Sequence, residues 1–220
     1  MMAYLWQREF GLKWRSPSGS LYALVFFVMV LVLFPFAVGA EPKLLARLGS
    51  AAVWIAALLA VLLGADSLFQ RDVEDGTVEQ LVVGQGSLAL WALIKVCVHW
   101  LGSGLLVSLV SLLVVPLFGL DWPSAGILML TLVIGTPILT LLTAIAAALT
   151  VTLRGNGVLV PLLAIPLQLP VLIFGSGTVN LWLVHSPVMP VFALLLGLLL
   201  LSIVTIPWVL AAALRLAVSQ

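Results

Sequence analysis

Long apolar runs separated by short polar stretches dominate the pattern of this chain. Six of them approach the roughly 20 residues that an α-helix needs to cross the hydrocarbon core of a bilayer. The pattern therefore predicts one all-α integral membrane domain over residues 1–220. Its transmembrane helices are expected at about 21–39, 51–69, 92–118, 127–152, 158–176 and 190–214.

The fifth apolar run admits two interpretations. Pro161, Pro166 and Pro170 interrupt it, and a proline removes a backbone donor from the interior of a helix. Either the run crosses the membrane, or the stretch 171–189 re-enters from the far side without crossing.

The residues before the first run have a different pattern. Trp6, Phe10 and Trp14 recur at every fourth position, whereas Arg8 and Arg15 fall on the opposite side. Such a helix lies in the membrane interface, with its basic groups toward the lipid headgroups. Residues 1–18 are therefore predicted to form an interfacial amphipathic helix.

Composition agrees with a membrane protein. Hydrophobic residues make up 64% of the 220 and charged residues only 8%, whereas soluble domains carry roughly 25% charged residues. The net charge of +1 gives no indication of a nucleic-acid partner. The single cysteine, Cys97, excludes an intrachain disulfide and a multi-cysteine metal site. No cleavage site of a removable signal peptide follows the first run.

Lysine and arginine placement predicts the orientation. With six spans both termini share one side, which holds Arg8, Lys13, Arg15, Arg71, Lys95, Arg154 and Arg215. The opposite side holds only Lys43 and Arg47. Both termini are therefore predicted to be cytoplasmic in a multi-pass membrane protein. Tryptophans are expected in the aromatic belts, with Trp54, Trp122 and Trp182 at the outer interface and Trp91 at the inner one.

Acidic residues concentrate between the second and third runs. Five of the eight in the chain fall in this stretch or beside it: Asp66, Asp72, Glu74, Asp75 and Glu79. The stretch 70–91 is predicted to be a cytoplasmic segment with its own short helix. Thr77-x-x-Gln80 has the spacing of a capping box, and Gly84 is expected to end the helix with Gly86. An ordinary solvated loop is the simpler alternative.

Three polar residues lie near or within the predicted spans. They are Asp66, Lys95 and His99. Polar groups at membrane depth usually face partner helices or a water path. We expect Asp66 to pair with Lys95 or His99; the alternative is that Lys95 extends toward the headgroups.

The two histidines, His99 and His185, are the candidate ligands of a haem iron. An intramembrane haem-binding protein or enzyme acting through one of them is therefore an alternative function. No C-x-x-C-H motif supports it, and each histidine also suits an ordinary structural role. The chain contains no G-x-x-x-x-G-K-[ST] motif, so if nucleotide hydrolysis drives the protein, another polypeptide supplies it.

Taken together, these features resemble the permease subunits of ABC exporters of the polysaccharide and drug export type. Within that class the chain is similar to the CcmB family, the haem exporter B proteins of cytochrome c maturation. The shared motifs are Leu33-Phe34-Pro35, Glu41-Pro42-x-Leu44-Leu45-Ala46-Arg47, Phe69-x-x-Asp72-x-x-Asp75-Gly76-Thr77-x-Glu79-Gln80-Leu81, Lys95-x-x-x-His99-Trp100, Gly135-Thr136-Pro137, Ala148-Leu149-Thr150 and Leu169-Pro170-x-Leu172-Ile173-Phe174. The chain departs from the family's more frequent Ser-Leu at Thr77-Val78, and from its prolines at Gly84-Gln85-Gly86.

The resemblance implies partners and a role, with no catalysis by this chain. It implies a homodimeric permease assembled with the ATPase subunit CcmA, which binds the ATP, and association with CcmC, CcmD and the haem chaperone CcmE. Haem would be handled by the complex, and no cofactor is assigned to this chain itself. ATP hydrolysis would drive a conformational change and release of the haem-loaded chaperone.

The resemblance also implies that the cytoplasmic segment contacts the ATPase. The residues expected there are Phe69, Asp72, Asp75, Gly76, Thr77, Glu79, Gln80 and Leu81. Phe69, Val78 and Leu81 would be apolar anchors in a cleft of the ATPase. The acidic residues would meet basic groups, which gives orientation more than affinity. Gly76 would allow a sharp turn.

Overall fold

The computed structural model describes residues 11, 18–39, 41–65, 68–84, 86–153 and 158–218. Along these ranges the helices, in chain order, are α1 (Ser18–Val38), α2 (Pro42–Ala65), α3 (Gln70–Glu74), α4 (Thr77–Val83), α5 (Leu88–Gly102), α6 (Gly104–Val110), α7 (Val114–Phe118), α8 (Trp122–Thr150), α9 (Leu159–Leu183) and α10 (Met189–Val218). A 3₁₀ turn, Ser111–Leu113, joins α6 to α7. The interfacial helix predicted over residues 1–18 lies, apart from Gly11 and Ser18, outside the described residues.

Six membrane-spanning segments are confirmed. By length and composition, the helices able to cross a membrane are Gly19–Val38, Pro42–Gly64, Leu88–Phe118, Trp122–Thr150, Leu159–Leu183 and Met189–Val218. Because successive spans run in opposite directions, the segment 68–84 lies at one end of the bundle, named here the segment end. The connections 119–121 and 184–188 lie at the opposite end, named the loop end.

The third span is not one regular helix. Ser103 has φ −131° and ψ −68°, and it separates α5 from α6. Its hydroxyl donates to the carbonyl oxygen of His99 at 2.7 Å. A serine side chain that binds the preceding turn competes with the helical hydrogen-bond ladder, and glycines on both sides of Ser103 lower the cost of the break. The span predicted at about 92–118 therefore contains a break at Ser103 that the apolar pattern did not indicate.

The fifth span crosses as a single helix. α9 runs without interruption from Leu159 to Leu183, with Pro166 and Pro170 inside it. At 1.5 Å per residue, a helix of 25 residues exceeds the hydrocarbon thickness. The structure therefore favours the crossing interpretation over re-entry of residues 171–189.

The fourth span, α8, is the centre of the bundle, and it packs against α2, α9 and α10. Trp54 of α2 is fully buried here, and its indole N–H donates to the hydroxyl of Thr131 at 3.3 Å. Its ring fills the space left by two glycines, Gly135 of α8 and Gly175 of α9, because a Cβ on either one would overlap it. Trp54 is therefore a core residue, and its predicted place in an aromatic belt is wrong.

Two further buried hydroxyls of α8, those of Thr136 and Thr143, accept hydrogen bonds from neighbouring spans. The indole N–H of Trp100 donates to Thr136 at 2.9 Å. The Gln168 amide on α9 donates to Thr143 at 2.6 Å and to the carbonyl oxygen of Leu139 at 3.0 Å. Because buried polar groups in an apolar medium are costly without partners, these bonds set the register of the spans around α8.

Candidate functional site

The candidate site is the segment between the second and third spans, residues 68–84, named here the interspan segment. It folds as α3, a tight turn and α4. Gly76 forms the turn with φ +70°, a left-handed conformation that favours glycine. The expected role of Gly76 in a sharp turn is therefore confirmed.

The helix in this segment is confirmed, but its predicted cap is wrong. α4 begins at Thr77, and its N-cap residue is Gly76, without a side-chain hydrogen bond. Because Thr77 already lies inside the helix, it cannot act as the cap, and Gln80 does not complete a capping box. The helix ends before Gly84, whose N–H donates to the carbonyl oxygen of Gln80 at 2.9 Å.

Two pairs of contacts fasten α3 to the third span. The Lys95 ammonium lies 2.8 Å from a carboxylate oxygen of Asp72, and the rings of Phe69 and Trp91 lie 6.1 Å apart between centroids. Lys95 also lies over the Trp91 ring, 5.4 Å from its centroid. Phe69, Asp72, Trp91 and Lys95 are named here the clamp.

The geometry of the clamp follows from helical spacing. Phe69 and Asp72 are three residues apart at the start of α3, and Trp91 and Lys95 are four residues apart on α5. Residues at these separations share one face of a helix. Each helix therefore presents one aromatic and one charged group to the other, in matching order.

The clamp corrects two expectations. Lys95 forms an ion pair with Asp72, and the pairing of Asp66 with Lys95 or His99 stays a prediction, because Asp66 lies outside the described residues. Asp72 is 8% exposed, so its carboxylate faces this chain and is not presented to a partner. Trp91 is fully buried and does not belong to an aromatic belt. The physical reason is common to both: α3 folds back onto α5, and a carboxylate buried there requires a nearby cation.

The inner face of α4 is held by the bundle. Val78 is fully buried, Leu81 is partly buried against the same core, and α4 contacts α10 and the start of α5. Phe69 is also buried, at 1% exposure. Phe69 and Val78 thus anchor the segment to its own bundle, which corrects their expected insertion into a cleft of another protein.

The outer face of the interspan segment is acidic with an apolar end. Asp75, Glu79 and Gln80 are exposed, and Val83 is 83% exposed. Glu74 is exposed as well, and it accepts a hydrogen bond from Gln70 at 3.0 Å. The segment therefore has two faces with different chemistry, one packed on the spans and one open to a partner.

His99 belongs to the packing between spans. It is 4% exposed, and a Cβ built on Gly64 of α2 would lie 3.4 Å from its Nε2 atom. Gly64 thus makes room for the imidazole against the second span. A haem group could not reach this ring without separation of the helices, so the structure disfavours His99 as an iron ligand.

The sequence contained a signal for the clamp that the predictions missed. At the start of α3 and on α5, an aromatic residue is followed one turn later by a charged residue. These pairs, Phe69 with Asp72 and Trp91 with Lys95, can be found in the sequence without coordinates. The exposed end at Val83 carries no such signal, because the apolar pattern of α4 does not distinguish which of its faces meets the bundle.

The residues of the interspan segment are suited to contact with a partner and to transmission of movement. Within the described ranges, no group of three or more His, Cys, Asp or Glu side chains is arranged to hold a metal ion. The interspan segment instead combines a turn, two short helices and a charge pair that joins it to the spans.

Comparison with known proteins places the chain in a family. The profile described as "CcmB protein" matches residues 1–217. Heme exporter protein B of Pseudomonas aeruginosa is 44% identical over 220 residues, covering 100% of this chain and 99% of that protein. The proteins of the same name from Haemophilus influenzae and Escherichia coli K12 are 40% and 38% identical, each over 214 residues, 97% of this chain and 97% of theirs. With matches of this length and identity, the chain belongs to the CcmB family of haem-export membrane proteins.

Proposed function

We propose that this chain is the permease subunit of an ABC transporter that handles haem for c-type cytochrome biogenesis. ATP hydrolysis takes place in a separate ATPase subunit, CcmA, which docks on the interspan segment. The chain converts movement of that subunit into movement of its own spans. Release of the haem-loaded chaperone, CcmE, follows from this change.

The two-faced interspan segment is the observation that carries the proposal. Its outer face offers Asp75, Glu79 and the exposed Val83 to a partner. Its inner face is joined to the third span by the clamp and packs on the sixth through α4. A displacement imposed on the outer face therefore reaches two spans through packed, charge-paired contacts, which is how rigid elements transmit conformational change.

The partners follow from the family. Relatives named Heme exporter protein B support a complex with other Ccm components. We assign CcmA to the interspan segment, CcmC and CcmD to lateral contacts within the membrane, and CcmE to the opposite side. A second copy of this chain completes the permease as a homodimer, since the ATPase subunits of such transporters act in pairs.

The orientation is proposed from charge. Among the described residues, Arg71, Lys95 and Arg215 lie at the segment end, whereas Lys43 and Arg47 lie at the loop end. The larger number of lysine and arginine residues at the segment end supports a cytoplasmic location for it. The termini are then cytoplasmic and the protein resides in the bacterial inner membrane.

Co-purification tests the docking surface. We expect the double charge reversal Asp75→Lys with Glu79→Lys to lower recovery of CcmA by at least tenfold, because the exposed acids then repel the basic groups of the cleft. The measurement is the amount of CcmA recovered on tagged chain from detergent-solubilised membranes. ATPase activity of the recovered complex is measured in parallel.

The matched control is Glu41→Lys, which reverses an exposed acid at the loop end. It should leave CcmA recovery unchanged. Membrane insertion of every variant is checked by its abundance in the membrane fraction. Normal CcmA recovery with the doubly reversed segment would contradict the docking assignment.

A further inference from the structure

A cavity opens at the loop end, away from the interspan segment. Its volume is about 460 Å³, and it is lined by Asp121, Ser124, Trp182, Leu183, His185 and Ser186. These residues belong to the start of α8 with the connection before it, and to the end of α9 with the connection that follows it. Nothing in the proposed docking of the ATPase uses this end of the molecule.

His185 stands in the wall of this cavity in an unusual conformation. It is the non-glycine residue with positive φ among those that the structure describes, at +57°. Non-glycine residues rarely adopt this region, and they concentrate at sites where the surrounding structure requires it. Hydrogen bonds from Ser186 N–H to Leu181 and from His185 N–H to Trp182 hold the turn.

One ring nitrogen of His185 already has a partner. Nδ1 lies 3.3 Å from the carbonyl oxygen of Leu183. A carbonyl oxygen only accepts, so Nδ1 carries the hydrogen in this contact. The neutral imidazole then presents the lone pair of Nε2, which is the arrangement of histidines that ligate metals through Nε2.

The donor set distinguishes between kinds of metal. A bare transition-metal ion requires three or four protein ligands, and the described residues provide no cluster of that kind. A metal held by a macrocycle has four ligands already and needs only an axial one. A single oriented histidine beside an aromatic side chain therefore fits an iron porphyrin better than a free ion.

We infer that this cavity is a haem-contact site of the chain, in which His185 Nε2 is an axial ligand of the iron and Trp182 packs on the porphyrin. The inference rests on the proposed function for the identity of the macrocycle. It adds a place on this chain where haem would bind, at the end opposite the ATPase.

The charges around the cavity orient such a ligand. Hydrogen bonding from the Ser124 side chain, followed by its backbone N–H, holds the pKa of the Asp121 carboxyl below its ordinary value. The ionised carboxylate repels the porphyrin propionates. Exposed Lys43 and Arg47 lie at the same end, on the first turns of α2, which a hydrogen bond from Ser50 to Ser176 holds beside α9. In this inference the propionates would favour the side of Lys43 and Arg47 over the side of Asp121, because opposite charges attract.

Haem titration tests the site. The full chain is purified into lipid nanodiscs and titrated with iron(III) protoporphyrin IX, and the Soret band is recorded. We expect the unaltered chain to give the band position of histidine-ligated iron. His185→Asn should lose this position and bind at least tenfold more weakly. Asparagine tolerates the left-handed conformation of this turn, so the variant separates loss of the ligand from loss of the fold.

Two further variants sharpen the result. His185→Gly should regain the band position when imidazole is added, because glycine preserves the turn and leaves space for the free ligand. Trp182→Ala should bind more weakly with an unchanged band position. An unaltered spectrum and affinity in His185→Asn, or the same spectrum from empty nanodiscs, would overturn the site.

CcmA recovery separates this inference from the proposed function. We expect His185→Asn to retain normal CcmA recovery, because the segment end is untouched. Loss of haem ligation with retained CcmA supports the site. A chain that recovers CcmA but never shows histidine-ligated iron overturns the haem site alone, and leaves the docking assignment standing.

Discussion

Two fully buried tryptophans are held in opposite ways. Trp54 sits in the centre of the bundle, with its ring in the space left by Gly135 and Gly175. Trp91 sits at the segment end, beside the Lys95–Asp72 ion pair and the ring of Phe69. One site depends on the close fit of uncharged surfaces, whereas the other depends on a pair of charges.

The difference separates a fixed part of the molecule from an adjustable one. Between helices in lipid, stability comes from close packing and hydrogen bonds, so the Trp54 site allows little change of shape. A charge pair near a surface keeps its attraction over a range of small displacements. We therefore expect the Trp54 site to hold the spans together and the clamp to transmit movement between them.

The largest effect is expected at the centre. Trp54→Ala should lower the free energy of unfolding by about 3–5 kcal/mol, because it leaves a cavity between three helices. The measurement is unfolding in mixed micelles by titration with sodium dodecyl sulfate. Gly175→Ala should lower it by about 1–3 kcal/mol, since the added methyl group displaces the ring.

The chain supplies a matched control for the glycine variant. Gly177 lies on the same helix two residues later, and a Cβ added there meets nothing within 4 Å. Gly177→Ala should therefore leave stability unchanged or raise it slightly, because alanine favours a helix more than glycine does. Equal losses of stability in Gly175→Ala and Gly177→Ala would show that the packing of Trp54 does not depend on the close approach of α9.

An intermediate effect is expected at the clamp. In a double-mutant cycle of Asp72→Asn and Lys95→Gln, we expect a coupling energy of about 1–3 kcal/mol, because each charge is largely buried against the other. Haem-dependent maturation of c-type cytochromes should fall with either single variant while CcmA recovery is kept. That combination would identify a loss of transmission, as distinct from a loss of docking.

Exchange of the charges sharpens the comparison. The double variant Asp72→Lys with Lys95→Asp should recover part of the lost maturation, because the two charges still attract. Trp54 has no such partner, since it packs against glycines that carry no side chain. Lys43→Gln removes an exposed cation at the loop end and should leave coupling at the clamp unchanged. A coupling energy near zero would mean that packing of Phe69 on Trp91 holds α3 without help from the charges.

The smallest effect is expected at Asp121, which caps α8 by accepting the N–H of Ser124 at 3.4 Å. Asp121→Ala should lower the free energy of unfolding by about 0.5–1 kcal/mol. This is the lower part of the range for N-caps, because the hydrogen bond is long. Since the folded-state pKa of Asp121 is lowered, its contribution is present above the unfolded pKa. It is lost as the pH falls through the folded value.

Unfolding measured at neutral and acidic pH tests the sign of this effect. The difference in free energy of unfolding between Asp121→Ala and the unaltered chain should become smaller as the pH is lowered. Asp121→Asn keeps a capping oxygen without the charge, so its stability should depend less on pH. A difference that grew in acid would contradict the lowered pKa.

Much of the fold could be predicted because hydrophobic periodicity and span length do not depend on which helices touch. The six spans, the helix ending before Gly84 and the turn at Gly76 all follow from local chemistry. The break at Ser103 could not be placed, since its cause is a serine hydroxyl that competes with the backbone in one particular geometry.

The candidate site was predicted in position but not in orientation. Acidic residues between two spans indicated a segment at the membrane surface. Which of them face outward depends on where α3 and α4 fold back. Asp72 was expected to meet a partner and instead meets Lys95, whereas Asp75 and Glu79 are exposed as expected.

By itself the sequence determined that this is a six-span membrane protein with an acidic interspan segment, because apolar length and charge placement are local properties of the chain. Tertiary structure alone decided that Trp54 is a core residue, that Phe69 and Val78 face inward, and that His185 lines a cavity. These outcomes depend on the meeting of side chains far apart along the chain, and no local pattern records which faces come together.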